Sequence, residues 1–187
     1  MSGPPFWGKY RGLVTDIQDP LNTGRIRAKV DVLGDKESGW AMPCAPFGGD
    51  QTGFFALPKV GAGVWIEFER GDPDYPVWVG CWWGKVTDRP SDLLAPPYKK
   101  LMVKTEGGHT LTLDDSPGIG NLTLKTSGGH KLVLDDTPGA GGIVLETSTG
   151  AKLSITSTGI EITNGQGASL KLQGPQVQVN NGALEVT

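Results

Sequence analysis

Residues 105–146 decide the fold, because they hold two copies of one sequence unit. The first copy reads TEGGHTLTLDDSPGIGNLTLK over residues 105–125, and the second reads TSGGHKLVLDDTPGAGGIVLE over residues 126–146. A third copy starts with TSTGAKLSI at residues 147–155 and then shortens. A fixed period in this range predicts a repeat architecture in which each unit stacks on the one before it.

The smallest element of the repeat is a pair of aliphatic residues separated by one polar residue. Residues two apart on a β-strand point to the same face, so each pair gives a short strand one apolar face. Glycine-rich and asparagine-rich turns separate the pairs. The sequence predicts that these aliphatic residues face a shared axis: Leu111, Leu113, Leu122, Leu124, Leu132, Leu134, Ile143, Leu145, Leu153, Ile155, Ile160, Ile162, Leu170, Leu172, Val177, Val179, Leu184 and Val186.

Such strands cannot cover their own apolar face. Each strand supplies only two aliphatic side chains, and burial of one is worth roughly 1.5–3 kcal/mol. Ordering the backbone costs roughly 1–2 kcal/mol for every residue. The repeat has no aromatic residue and no second apolar layer. We therefore expect the same face of other copies of the chain to cover it.

Composition restricts the class of protein. The chain has 187 residues with 29 glycines and 14 prolines, which favours many turns and short strands, and no stretch has a helical period. The net charge of −3 gives no electrostatic reason to expect a nucleic acid or an anionic membrane as partner. The first residues lack the apolar core of a signal peptide, and no apolar run reaches the roughly 20 residues of a membrane helix. We expect synthesis in the cytoplasm.

Three segments are predicted in an all-β chain. Residues 1–86 hold all six tryptophans and about five strands, which fits a small OB-type barrel with its own core. Residues 87–104 form a proline-rich linker, and residues 105–187 form the repeat. The barrel strands are predicted at residues 11–17, 25–33, 40–45, 64–69 and 77–83. In the fourth of these, the alternation of apolar residues predicts that Val64, Ile66 and Phe68 share one face.

Few residues suggest bound ions. His109 and His130, one repeat apart, could form rings about an axis and bind a metal or an anion, or they could simply hydrogen-bond a neighbouring backbone group. The pairs Asp114–Asp115 and Asp135–Asp136 could bind Ca²⁺. They also stand in Asp-Asp-Ser/Thr-Pro-Gly, which is a good turn sequence. The turn and backbone interpretations are favoured, so no cofactor and no metal are predicted.

The barrel segment offers little catalytic chemistry. Asp72 and Asp74 could form an acid–base pair, but they flank Pro73 in a tight turn and have no nucleophile or histidine nearby in sequence. Cys44 and Cys81 lack the spacing of a zinc site and are predicted to be buried, reduced thiols. Exposed tryptophans could stack on nucleic-acid bases, as in other OB folds, but core packing or protein contact is favoured.

Several motifs, in this order and spacing, resemble the spike proteins of contractile injection machines, namely the phage baseplate assembly protein V type and the related VgrG spikes. The motifs lie at these positions: RGLVTD (11–16), GRIRAKV (24–30), WA (40–41), PKVGAGVWIEF (58–68), GDPDYPVWVG (71–80) and the GGHxLxLDD start of the repeat (107–115).

This resemblance implies a homotrimer in which three OB barrels form a collar and a triple-stranded, intertwined β-helix forms a needle. It also implies that the collar docks to a baseplate hub and that a small PAAR-type protein caps the needle at its C-terminal end. Lysozyme and hub domains found in some members are missing here, so the hub is expected to be a separate protein. The His-x-His iron motif of some phage needles is also missing, which favours a blunt, capped end.

The preferred function is therefore mechanical. The chain is predicted to be a structural spike that lies below the tube and hub and pierces the target cell envelope when a sheath contracts, with only transient contact with the membrane. Its expected place is a virion tail or a phage-tail-like particle. Two other hypotheses remain: an OB-fold protein that binds nucleic acid or oligosaccharide and has a repeat tail, and a cell-wall hydrolase.

Overall fold

Strands dominate both halves of the chain in a computed structural model that describes residues 5–34, 36–93, 96 and 99–186. The chain divides into two units, Met1–Arg89 and Pro90–Thr187. Within the described residues, the helical segments are single 3-10 turns at Asp31–Leu33, Glu69–Gly71, Val86–Asp88 and Ser91–Leu93. The prediction of an all-β chain is confirmed.

The first unit is built on a five-stranded sheet with the strand order β2-β1-β6-β7-β3. The second and third strands predicted from sequence are shorter in the structure. A 3-10 turn replaces the end of the second strand, and the third strand keeps only two residues. Between the third and fourth predicted strands, residues 48–53 hold a small two-stranded hairpin, β4–β5. The strands are β1 (Tyr10–Asp16), β2 (Arg27–Val30), β3 (Met42–Pro43), β4 (Gly48–Gly49), β5 (Thr52–Gly53), β6 (Gly63–Phe68) and β7 (Pro76–Trp82).

Two irregularities and one bridge curl this sheet in the manner of an OB fold. The register shifts between Val14 and Asp16 and again between Val64 and Ile66. Such bulges bend a strand and increase its twist. Ile26 and Ala41, which flank the edge strands β2 and β3, exchange two backbone hydrogen bonds of 3.2 and 2.8 Å. The two edges of the sheet are therefore joined.

The first unit contains its own hydrophobic core. Val64, Ile66 and Phe68 are buried on one face of β6, as the alternating sequence predicted. An aromatic cluster extends this core, since the ring of Phe68 lies 5.7 Å from the rings of both Phe6 and Tyr10. The buried set is Val14, Ile26, Ala28, Val30, Ala41, Val64, Ile66 and Phe68.

The second unit is a ten-stranded antiparallel sheet in which each strand pairs with its neighbours along the chain. It starts one strand earlier than the sequence predicted, because Lys100–Lys104, assigned to the linker, forms its first strand. Pro97 of the linker lies outside the described residues. The strands are β8 (Lys100–Lys104), β9 (Thr110–Asp114), β10 (Asn121–Lys125), β11 (Lys131–Asp135), β12 (Gly142–Glu146), β13 (Lys152–Thr156), β14 (Gly159–Thr163), β15 (Ser169–Gln173), β16 (Gln176–Val179) and β17 (Leu184–Val186).

One turn recurs along one side of this sheet. In the first copy, the Thr105 amide donates to the His109 carbonyl at 2.9 Å, and the His109 amide donates to the Thr105 hydroxyl at 3.0 Å. Gly108 has a φ of +90°, a conformation that favours glycine. The Thr–His pair repeats at Thr126 and His130 with distances of 2.9 and 3.1 Å. The repeated sequence therefore encodes a repeated hairpin.

Candidate functional site

The most prominent feature of the second unit is an aliphatic sheet face that its own chain leaves uncovered. The strand register aligns the aliphatic pairs into two continuous rows across all ten strands. For Val186 in the last strand, this describes the backbone position alone. The first row is Val103, Leu111, Leu124, Leu132, Leu145, Leu153, Ile162, Leu170, Val179 and Leu184. The second row is Leu101, Leu113, Leu122, Leu134, Ile143, Ile155, Ile160, Leu172, Val177 and Val186.

The exposure of these rows is unusual for aliphatic side chains. Exposed members range from 36% accessible at Ile160 to 60% at Leu101 and Leu184, and the other members whose side chains are described are half-buried. Among the described residues of this unit, the only buried side chain is that of Asp114. Large contiguous apolar patches on soluble proteins mark interaction sites. We call the two rows together the aliphatic face.

The sequence predicted most of this face. All eighteen predicted residues fall into the two rows, although the side chain of Val186 lies outside the described residues. Leu101 and Val103 were missed because β8 was assigned to the linker. The signal was present, since KLMVK at residues 100–104 has the same alternation as the later strands. That these residues face a shared axis stays a prediction.

The two histidines connect successive hairpins. Nδ1 of His109 accepts a hydrogen bond from the Ser127 amide at 3.4 Å, and Nδ1 of His130 accepts one from the Ser148 amide at 3.3 Å. Each histidine thus contacts the equivalent turn of the next repeat. This geometry corresponds to the backbone-bonding alternative, and it engages Nδ1, one of the two ring nitrogens through which a histidine can bind a metal.

The aspartates that were candidate calcium ligands cap turns. The Asp114 carboxylate accepts from the Ser116 amide at 3.0 Å, and the Asp135 carboxylate accepts from Thr137 at 2.9 Å. Hydrogen bonds from Ser116, assisted by Lys100 at 3.2 Å, lower the pKa of Asp114. Hydrogen bonds from Thr137 likewise lower the pKa of Asp135. In the described part of the chain, no three His, Cys, Asp or Glu side chains form a group that could hold a metal ion.

The first unit likewise shows structural roles for its candidate residues. The Asp72 carboxylate accepts from the Asp74 amide at 3.0 Å, which is a local turn bond. The prediction that Cys44 and Cys81 are buried is wrong, because both thiols are exposed and unpaired. The reason is that β1, β2 and β6, with Ile26 and Ala41, supply the whole buried set, and neither cysteine belongs to it.

The most organised polar site of this unit is the loop after β1. The buried Asp19 carboxylate contacts the Arg25 guanidinium at 2.6 Å and accepts the amides of Leu21 and Thr23 at 3.0 and 2.8 Å. The bond from Arg25 above all holds the pKa of Asp19 far below its usual range. A cleft of about 400 Å³ lies beside this loop, and its lining includes Asp19 and Phe55. Because Asp19 is engaged by Arg25, the cleft gains no available acid or base from it.

Three of the six tryptophans pack against arginines. The Arg11 guanidinium lies 5.7 Å from the Trp65 ring and 5.3 Å from the Trp82 ring, and that of Arg27 lies 4.8 Å from Trp40. These arrangements occupy faces that a stacked base would need. Within the described ranges, no helix is long and apolar enough to cross a membrane.

The chain combines an OB-type unit with a repeat sheet whose aliphatic face is open, and comparison with known families agrees with this division into two domains. Residues 10–83 match the type VI secretion system/phage-baseplate injector OB domain. Residues 121–185 match the phage baseplate V C-terminal trimerisation domain. The chain therefore contains an OB domain and a C-terminal trimerisation domain of the phage baseplate V type.

Its relatives include spike proteins of type VI secretion. The chain is 32% identical over 89 residues to the actin cross-linking toxin VgrG1 of Vibrio cholerae, and the matched segment covers 45% of this chain. It is 30% identical over 108 residues to the spike protein VgrG3 of Vibrio cholerae, covering 52% of this chain. It is 38% identical over 63 residues to VgrG5 of Pseudomonas aeruginosa, covering 31% of this chain. The matches span only 8–10% of the relatives' own lengths.

Proposed function

We propose that this chain forms the homotrimeric needle of a contractile injection machine and pierces the target envelope when the sheath contracts. The observation that carries the proposal is the aliphatic face, which stays exposed although the sheet's inner strands are fully paired within one chain. The backbone needs no partner along the shaft, whereas the side chains do. Three copies around one axis would bury six aliphatic rows.

A shared dry axis would give the needle its stiffness. Each copy supplies a continuous ladder of ten strands, roughly 4.8 Å apart. Bending the shaft would open backbone hydrogen bonds and expose the packed rows at the same time. The match of residues 121–185 to a trimerisation domain supports three as the number of copies. The predicted axis residues are part of this proposal.

The barrel would transmit the force from the tube. Phe47, Phe54 and Phe55, on and beside the β4–β5 hairpin, are 62%, 53% and 73% exposed, which supports a protein contact there. We assign that contact to the baseplate hub. For a PAAR-type tip protein at the C-terminal end, the support is the family resemblance alone. The role is mechanical rather than catalytic, after synthesis in the cytoplasm and incorporation into a tail-like particle.

Light scattering on the purified full chain tests the trimer. We expect a mass three times that of the 19.7 kDa chain. A monomer with an ordered repeat at micromolar concentration would refute the proposal. The piercing role needs a second assay, in which particles carrying wild-type or assembly-deficient chain are compared for sheath contraction and for leakage from target cells. Leakage that persists without an assembled needle would count against piercing.

Phe55→Ser tests the hub contact separately. Phe55 is 73% exposed, so its replacement should leave the barrel folded and the trimer mass unchanged. Co-purification with the hub should weaken, because an exposed aromatic anchor of an interface is lost. Undiminished hub binding would move the contact to another surface of the barrel.

A further inference from the structure

The two lateral rims of the second-unit sheet carry opposite charges. On one side, Lys125, Lys131, Glu146 and Lys152 follow one another in the register of β10 to β13. We call these four residues the basic rim. On the other side, Asp114, Asp115, Asp135 and Asp136 stand at the ends of β9 and β11 and in the connections that follow them. We call these four residues the acidic rim.

Pairing within one chain satisfies only part of this charge. Lys131 contacts Glu146 at 3.2 Å across the basic rim, and Lys100 contacts Asp114 at 3.2 Å at the acidic rim. Asp135 is engaged by Thr137.

Four rim side chains remain without a partner among the described residues: Lys125, Lys152, Asp115 and Asp136. Each of them is exposed. Lys125 moreover lies directly opposite Lys131, a like-charge pair that is unfavourable in an isolated sheet. The rims therefore hold unpaired cations on one side and unpaired anions on the other.

The unpaired charges lie at similar heights along the sheet. Lys125 and Lys152 belong to β10 and β13, while Asp115 follows β9 and Asp136 follows β11. With strands roughly 4.8 Å apart, each acid stands within about two strand levels of a lysine. A five-residue strand is roughly 17 Å long, so the rims of one chain cannot reach each other. Backbone bonds from the Asp115 amide to Lys99 and from the Asp136 amide to Gly120, both 2.9 Å, hold the acids in place.

We propose that the basic rim of one copy pairs with the acidic rim of the next copy around the needle. This inference rests on the proposed trimer, and it adds the side-by-side contact and its direction. Different surfaces meet, so the contact is heterologous, and such contacts close into a ring when the rotation permits. The aliphatic faces would supply most of the stability, and the rims would fix which edges meet.

Charge reversal in the full chain tests the pairing. Lys125→Glu with Lys152→Glu reverses the basic rim, and Asp115→Lys with Asp136→Lys reverses the acidic rim. Each double variant should raise the trimer dissociation constant at least about tenfold at low salt, where repulsion replaces attraction at three contacts. The quadruple variant keeps the net charge and restores opposite signs at every contact, so it should recover wild-type affinity within about threefold. At about 1 M salt, where the Debye length is about 3 Å, the variants should converge.

The outcomes separate this inference from the proposed function. If the wild type is trimeric and the quadruple variant is no tighter than either double variant, the rim pairing is refuted while the trimer stands. If the double variants assemble like the wild type at low salt, the rims do not meet. A monomeric wild type would refute the trimer and the rim pairing together. As a control, Glu161→Lys with Lys171→Glu swaps a mid-strand pair 3.2 Å apart within one chain and should leave assembly unchanged.

Discussion

Leu132→Asp is the sharpest test of the needle, because it places one carboxylate on the aliphatic face of every copy. Leu132 lies in the first row between Leu124 and Leu145 and is half-buried in a single chain. A lone chain could hydrate the introduced carboxylate. A trimer would bring three of them to the same height on a dry axis, so the penalty falls on assembly rather than on the strand pairing.

The expected destabilisation of the trimer is the sum over three equivalent sites. Each copy loses about 1.5–3 kcal/mol of leucine burial and adds several kcal/mol for a desolvated charge. The trimer is therefore destabilised by more than about 10 kcal/mol, which is comparable to the whole stability of an ordinary domain. We expect light scattering to show a monomer whose barrel still unfolds cooperatively, as followed by tryptophan fluorescence.

Val133→Asp is the matched control for this substitution. Val133 is the next residue on the same strand, points to the opposite face, and pairs with Thr123 and Val144. The Val133→Asp substitution should leave the trimer mass unchanged. Normal trimers of Leu132→Asp would show that Leu132 does not face the axis. Loss of trimers in Val133→Asp would show that a carboxylate introduced in the middle of β11 disrupts the sheet whichever face it points to.

Three further predictions concern local structure. Asp19→Asn should lower the thermal midpoint of the barrel near neutral pH. Because the pKa of Asp19 is depressed in the folded state, its carboxylate stabilises the wild type above about pH 4, and this stabilisation is lost as the pH falls further. The difference in thermal midpoint between the wild type and the variant should therefore narrow in acid. His130→Ala should accelerate amide hydrogen exchange at Ser148 about fivefold, because one hydrogen bond of about 1 kcal/mol is lost. The Ser127 amide, which donates to His109 instead, should stay protected. Gly142→Ala should disrupt the β12–β13 pairing and lower the trimer yield, since the added methyl would collide with a backbone carbonyl of β13.

The sequence was most informative where the physical pattern was local. The alternation of Val64, Ile66 and Phe68 predicted a strand face, and the aliphatic pairs predicted the two rows of the repeat sheet. The failures depended on tertiary context. A cysteine in a strand-rich segment is buried only if the core extends to it, and neither Cys44 nor Cys81 belongs to the buried set. No local pattern carries that information.

The partners of polar residues were harder still to predict. The contact between Asp19 and Arg25 depends on how a loop folds back, and the link from His130 to Ser148 spans two hairpins and 18 residues. The opposite charges of the two rims also became visible only once the register was known. The lysines and aspartates alternate along the sequence, and the antiparallel order of the strands sorts them to opposite sides.

The uneven distribution of burial between the two units has a consequence for assembly. The first unit has its own core, from Val14 to Phe68, and can be stable in a single copy. Among the described residues of the second unit, no aliphatic side chain is buried, so its stability must depend on chain concentration if copies supply the missing contacts. Unfolding of the needle should therefore shift to higher temperature as concentration rises, whereas the barrel transition should not. Two transitions with this difference would indicate that the barrel folds first and the needle forms only on association, and a needle transition independent of concentration over a range in which the chains dissociate would contradict it.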